Sequence, residues 1–156
     1  MATKYESRHE TSFTTIFTGA QLNAGLASNA YLLNVDDLTN GVPVNTNRMV
    51  FLQLEFVIAW GGAPTAGKAI GVWLLRNGDS GNVESGSSSV VPARPRDGEI
   101  RHNGTTAAHR TYLTLPNDGI LNCRILLFND GIGQTPTTAS SVRARYVTRK
   151  LVDTLA

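Results

Sequence analysis

The segment Gly62-Ala63-Pro64-Thr65-Ala66-Gly67-Lys68 has the glycine and lysine spacing of a phosphate-binding loop. In that chemistry, amides at a helix N-terminus cradle the phosphates and a Ser or Thr after the lysine holds Mg²⁺. Here Ala69 follows Lys68, and the chain runs on as Ile70-Gly71-Val72-Trp73-Leu74-Leu75, a strand sequence. Both requirements fail, so the segment reads as a hairpin loop.

Gly78-Asp79-Ser80-Gly81 and Thr106-Ala107-Ala108-His109 resemble the nucleophile and histidine signatures of chymotrypsin-like serine proteases. The histidine follows the serine, the reverse of that family's order. Asn82 stands where the family has a further glycine, and Arg110 where it has a cysteine. A triad also needs a rigid frame for its oxyanion hole, whereas Ser80 lies in a Gly/Ser-rich stretch, Asn77–Ser89.

Metal chemistry has the residues but not the spacing. His9, His102 and His109 are not at ligand intervals. Asp36, Asp37, Asp79 and Asp130 fall at turns, where Asp bonds its own backbone, although Asp36-Asp37 could hold calcium through loop carbonyls. No cofactor is expected. Cys123, the single cysteine, alternates with Leu121, Ile125 and Leu127 and reads as a small buried hydrophobe.

The last strand, Val142–Leu151, carries a basic stripe: Arg143, Arg145 and Arg149 share a face with Val147, while Val142, Ala144 and Tyr146 face the other way, and Lys150 adds charge. One reading is the solvated face of an edge strand kept from pairing by charge. The functional reading is a contact for an acidic protein partner. Nucleic acid ranks behind both, because aromatics do not interleave the arginines and the net charge is only +2. Trp60 and Trp73 could form a carbohydrate platform, but both belong to apolar strands and read as packing residues.

The elements that position these residues are strands. Met49–Trp60 is apolar at every even position (Val50, Leu52, Leu54, Phe56, Ile58, Trp60) with Gln53 and Glu55 on the alternate face. This is the central strand, and Ala69–Arg76 returns beside it. Further strands are expected at Ser12–Thr18, Ala30–Val35, His109–Leu115, Ile120–Phe128 and Val142–Leu151, with short edges near Val90-Val91 and Ile100. Leu22 and Leu26 allow a helical turn over Ala20–Ala27. Residues 1–10 alternate Lys4, Glu6, Arg8 and Glu10 around Tyr5 and read as a polar arm that needs a neighbour to order it. Residues 11–156 form one domain. The fold class is all-β: a two-sheet antiparallel sandwich of about eight strands, jelly-roll-like.

The 156 residues suffice to bury a core, and 17% charged is low against the ~25% typical of globular chains. No run approaches the ~18 apolar residues of a membrane span. The first ten residues lack the apolar stretch of a signal peptide, so synthesis in the cytoplasm is expected. Between Thr11 and Asn47 there is no Lys or Arg; one reading is chance in a weakly charged chain, the other a surface that meets another protein.

With its polar arm, weakly charged sandwich and Asn/Thr/Gly/Ser loops, the chain resembles jelly-roll virion proteins of tailed bacteriophages, of the capsid decoration or cement type. That resemblance implies a non-enzymatic virion protein made in the host cytoplasm. It would be a homotrimer or other symmetric cluster that clamps neighbouring major capsid subunits. Tyr5, Arg8, Arg143, Arg145 and Arg149 would be contact residues. The alternative is a carbohydrate-binding β-sandwich module, as in a phage fibre or lectin.

Overall fold

The computed structural model describes residues 4–10, 12–34, 38–39, 48–76, 84–87, 89–116 and 122–152; for 4–10, 39, 48–50, 122 and 148–152 it describes the backbone alone. The strands are β1 (Lys4–Glu10), β2 (Thr14–Phe17), β3 (Tyr31–Leu33), β4 (Leu38–Thr39), β5 (Arg48–Ile58), β6 (Ala69–Arg76), β7 (Gly98–Arg101), β8 (His109–Pro116), β9 (Asn122–Asp130) and β10 (Ser141–Val152). A single helix, α1 (Gly19–Gly25), lies between β2 and β3.

Two antiparallel sheets result. One runs β1-β10-β5-β8, with β2 continuing the β1 edge along β10; the other runs β3-β9-β6-β7, with β4 continuing the β3 edge along β9. Counting each interrupted edge once gives eight strand positions. Their pairs are nested: β1/β2 with β10, β3/β4 with β9, β5 with β8, β6 with β7. Joining these through β5·β10 and β6·β9 wraps one long hairpin into two facing sheets, the strand order of a jelly roll. The expected all-β sandwich is present.

Alternation drives the packing. Leu52, Leu54, Phe56 and Ile58 of β5 point inward and meet Ile70, Val72 and Leu74 of β6, Cys123, Ile125 and Leu127 of β9, and Val142, Ala144 and Tyr146 of β10. Burying a side chain of this size is worth about 1.5–3 kcal/mol each. Cys123 is buried as expected. Leu22 of α1 and Leu26, the residue that ends it, join the core. Thr18 caps the helix by accepting from the Gln21 amide at 3.3 Å, and Gln21 Oε1 accepts from the Thr18 amide at 2.8 Å. Gly19 is required where it stands, because a Cβ there would lie 1.9 Å from the Thr138 carbonyl oxygen.

Four expectations change. β6 is not the hairpin partner of β5: it lies in the opposite sheet, and Gly61–Lys68 crosses between sheets. Periodicity could not place it, since every residue from Ala69 to Leu75 is buried on one face or the other. The last strand is no edge, because β1/β2 and β5 flank β10 on both sides. The segment read as a polar arm that needs a neighbour to order it, residues 1–10, contributes Lys4–Glu10 as β1, paired along Val147–Val152 with a register shift between Tyr5 and Ser7. Its neighbour is the chain's own β10. Val90 and Val91 form no strand and are exposed.

A candidate assembly surface

Arg143 and Arg145 of the last strand emerge on the outer face of the β10-β5-β8 sheet. The antiparallel register sets Glu55 of β5 between Arg143 of β10 and Tyr112 of β8, and Gln53 between Arg145 and Thr114. Glu55 is only 2% exposed. Its Oε1 accepts from Arg143 Nε at 2.8 Å and from a second guanidinium nitrogen of the same residue. Its Oε2 accepts from the Tyr112 hydroxyl at 3.0 Å, with Arg110 Nε 3.9 Å away. Burial alone would raise this carboxyl; the Arg143 and Tyr112 bonds and the two arginine charges outweigh it and hold it below its ordinary value. Glu55 is therefore a buried anion organising three cationic or phenolic side chains.

Beside it, Arg145 Nε donates to Gln53 Oε1 at 2.7 Å. Phe13, just before β2, lies against both guanidinium groups, with ring-centroid distances of 4.4 Å to Arg145 and 5.2 Å to Arg143. The Phe13 and Tyr112 rings are 6.4 Å apart. The product is a platform of Phe13, Arg143, Arg145, Arg110 and Tyr112. Its side chains are held in place while Arg143 remains 38% and Tyr112 50% exposed. Arg143 and Arg145 are thus not simply solvated. Sequence reading missed Phe13, Glu55 and Tyr112, because their association depends on register across segments 57 and 88 residues apart.

Tyr5, Arg8 and Arg149 lie farther along the same strands: Tyr5 pairs with Leu151, and Arg8 pairs with Arg149. These are backbone positions only. They adjoin one another but not the platform residues, which occupy the opposite end of β10.

The outer face of the second sheet is covered instead. Trp73, Leu75 and Leu126 are buried there, flanked by Tyr31, Leu33 and Phe128, with Tyr31 and Phe128 stacked at 4.2 Å. Over it run residues 84–87 and 89–97. Arg94 pins them, donating to Glu84, to Asp97 Oδ1 at 2.8 Å and to the Leu74 carbonyl at 2.8 Å, while Trp73 Nε1 donates to the Arg94 carbonyl at 3.2 Å. Arg94 in turn holds the Glu84 carboxyl below its ordinary value against the opposing effect of burial. The part of the Gly/Ser stretch that is described is therefore docked at Glu84, where expectation had a solvated loop.

The other chemical candidates separate. Lys68 is exposed and precedes a strand, so the phosphate-loop spacing meets no helix. Ser80, Asp79, Asp36 and Asp37 lie outside the described residues. His102 is buried at 8% exposure, edge-on to Trp60 at 4.8 Å, and His109 is exposed. Burial, aided by the His109 charge, pushes His102 down to about 4. Among the described residues no three His, Cys, Asp or Glu side chains gather at metal-binding range. Trp60 and Trp73 are 4% and 6% exposed, which removes them as a glycan platform. Among the described residues no helix is long and apolar enough to cross a membrane.

No family model matches the chain, and no curated protein matches it. Among solved structures it is similar to the Tobacco streak virus coat protein dimer, at 10% identity and a TM-score of 0.40, over 96% of this chain and 89% of that one. It is also similar to the decameric BFDV capsid protein, at 10% identity and a TM-score of 0.35, over 94% and 96% of the two chains. A third likeness is to a chain of infectious bursal disease virus Gx strain, at 12% identity and 0.34, over 96% of this chain and 33% of that one. Likenesses at this level assign neither a family nor a role.

Proposed function

We propose that this chain is a non-enzymatic structural protein of a virion, of the tailed-phage capsid decoration or cement type. It acts by burying surface between copies of itself and against neighbouring capsid subunits. The observation that carries the reading is the platform of Phe13, Arg143, Arg145, Arg110 and Tyr112. Aromatic and arginine side chains are the types that protein interfaces favour, and here Glu55 holds Arg143 and Tyr112, and Gln53 holds Arg145, before any partner arrives. Ordering them in advance lowers the entropic cost of docking. The jelly-roll strand order supports the reading only as analogy, since viral capsid and lectin domains share it.

On this reading the arginines meet acidic groups of the capsid, and Tyr5, Arg8 and Arg149 add a second contact along β1 and β10. The purified full chain should run in size-exclusion chromatography with light scattering as a discrete symmetric homo-oligomer. A stable monomer up to about 100 µM, well above ordinary protein–protein dissociation constants, would overturn the self-assembling half of the proposal.

A further inference from the structure

The outer edge of β8 is unlike the other sheet edges. β8 pairs with β5 along His109–Pro116, and among the described residues no backbone hydrogen bond reaches its other side. A strand in that position offers a row of unpaired donors and acceptors, which proteins usually blunt by charge, shortness or cover. The other edges are blunted. β1 carries four charged residues in seven. β7 has four residues, two of them Glu99 and Arg101. β3 and β4 have three and two residues, and β2, though uncharged, has only four. By contrast Thr111-Tyr112-Leu113-Thr114-Leu115 is uncharged, free of Pro and Gly, and rich in strand-favouring types.

We infer that the β8 edge is a two-fold pairing surface for a second copy of this chain, joining two β1-β10-β5-β8 sheets into one continuous sheet. The inference rests on the proposed function only for the premise of self-assembly. Face continuity requires inward residues to meet inward residues, so an antiparallel β8 pair must be centred on a residue. Centred on Leu113, it sets Leu113 against its own mate, Thr111 against Leu115 and Tyr112 against Thr114. Thr111, Leu113 and Leu115 are the inward set and Tyr112 and Thr114 the outward set, as their pairing with Phe56, Leu54, Leu52, Glu55 and Gln53 shows. This centring keeps Arg110 opposite Pro116 and not opposite another arginine. Tyr112, half exposed and held by Glu55, would cover Thr114 of the mate without first being ordered. The two Leu113 side chains, each only partly buried in the isolated chain, would close the mouth of the sandwich at the dyad.

The test uses the full chain. Sedimentation velocity across a concentration series should show an even-numbered oligomer. Thr114→Lys adds an exposed charge facing Tyr112 and Arg110 of the mate, and should raise the dissociation constant at least about 10-fold, with a melting temperature equal to wild type when both are diluted to the monomer. Leu113→Cys should cross-link to itself on mild oxidation, since directly opposed residues lie about 4.5–5.5 Å apart, within disulfide reach; the native Cys123 is buried and does not compete. If Leu113→Cys fails to fold, a nitroxide on Thr114→Cys should broaden against its mate, a diagonal neighbour at about 7–8 Å. An oligomeric wild type that is indifferent to Thr114→Lys and gives neither cross-link nor broadening overturns the β8 pairing while leaving the proposed function standing. A monomeric wild type overturns both and leaves the edge to a strand of another protein.

Discussion

Glu55 and Arg143 face each other across the β5·β10 pair, and the carboxylate is almost wholly shielded by the guanidinium that neutralises it. Removing one partner of a shielded pair leaves the other without compensation, which matters more than the net value of the pair. Arg143→Ala should cost roughly 1–3 kcal/mol, the lower part of the range for charged partners because Arg143 is partly solvated. Adding Glu55→Gln should recover part of that loss. Urea denaturation of the four proteins in a double-mutant cycle checks this; additive losses would mean the two residues are not coupled. Because Glu55 is depressed in the fold, its contribution is full above the ordinary carboxyl range and fades as pH falls through its folded value.

Phe56, the largest inward residue of β5, is 1% exposed. Phe56→Ala should destabilise by about 3–5 kcal/mol, the range for an aromatic cavity in a packed core. A melting temperature equal to wild type would remove β5 from the centre of the sandwich.

His102 gives a second pH dependence with a definite sign. Folded, it titrates at about 4; unfolded, near the ordinary histidine value of 6.5. The unfolded chain therefore binds a proton first, so stability falls from about pH 6.5 down to about 4 and then levels for this group. His102→Phe should flatten that part of the stability–pH curve, and the His102 imidazole resonances of the wild type should stay those of the neutral ring at pH 5.5 by NMR. A normal titration midpoint would place the ring in water and not against Trp60.

Arg94 ties the Glu84–Asp97 segment to β6. Arg94→Ala should release it, red-shift the emission of Trp73 and speed proteolysis between Glu84 and Arg96, with a stability loss of roughly 1–3 kcal/mol. Unchanged emission and cleavage would show that apolar contacts alone hold the segment.

Deleting residues 1–10 should bare the β10 backbone from Val147 to Val152. The truncated chain should lose stability and associate in a salt-insensitive manner through the uncovered edge. Light scattering at low and high salt separates this from simple loss of a charged tail, which would leave the fold unaffected and alter only salt-dependent contacts.

Strand identity was legible wherever a sheet face met the core. The run Leu52, Leu54, Phe56, Ile58 announces β5, and Cys123, Ile125, Leu127 announces the inward face of β9. Pairing was less legible. β6 is apolar on both sides because the Glu84–Asp97 segment covers its outer face, so no alternation distinguished partner from opposite sheet. β1 looked like a free arm because its side chains are polar, yet backbone bonds to residues more than a hundred positions away are what order it. The candidate platform was half visible: Arg143 and Arg145 stood out as a stripe, but the acid beneath them lay inside an apolar strand. A buried Glu is recognisable only once register supplies its cation.

The nested strand order also bears on how the chain reaches this fold. Among the described strands, β6·β7 is the only hydrogen-bonded pair of strands consecutive in sequence, and even these are separated by the segment from Asn77 to Asp97. β5 must find β10 across most of a hundred residues, and β1 must find it across nearly the whole chain. Closing such long loops before their contacts form is slow, and folding in the millisecond-to-second range is expected for a topology of this kind. During synthesis, β5 and β8 would wait without β10 until its last strand residues leave the ribosome. A β5 paired to β8 on one side, with the row of backbone groups meant for β10 still free on the other, is then the species most open to mispairing.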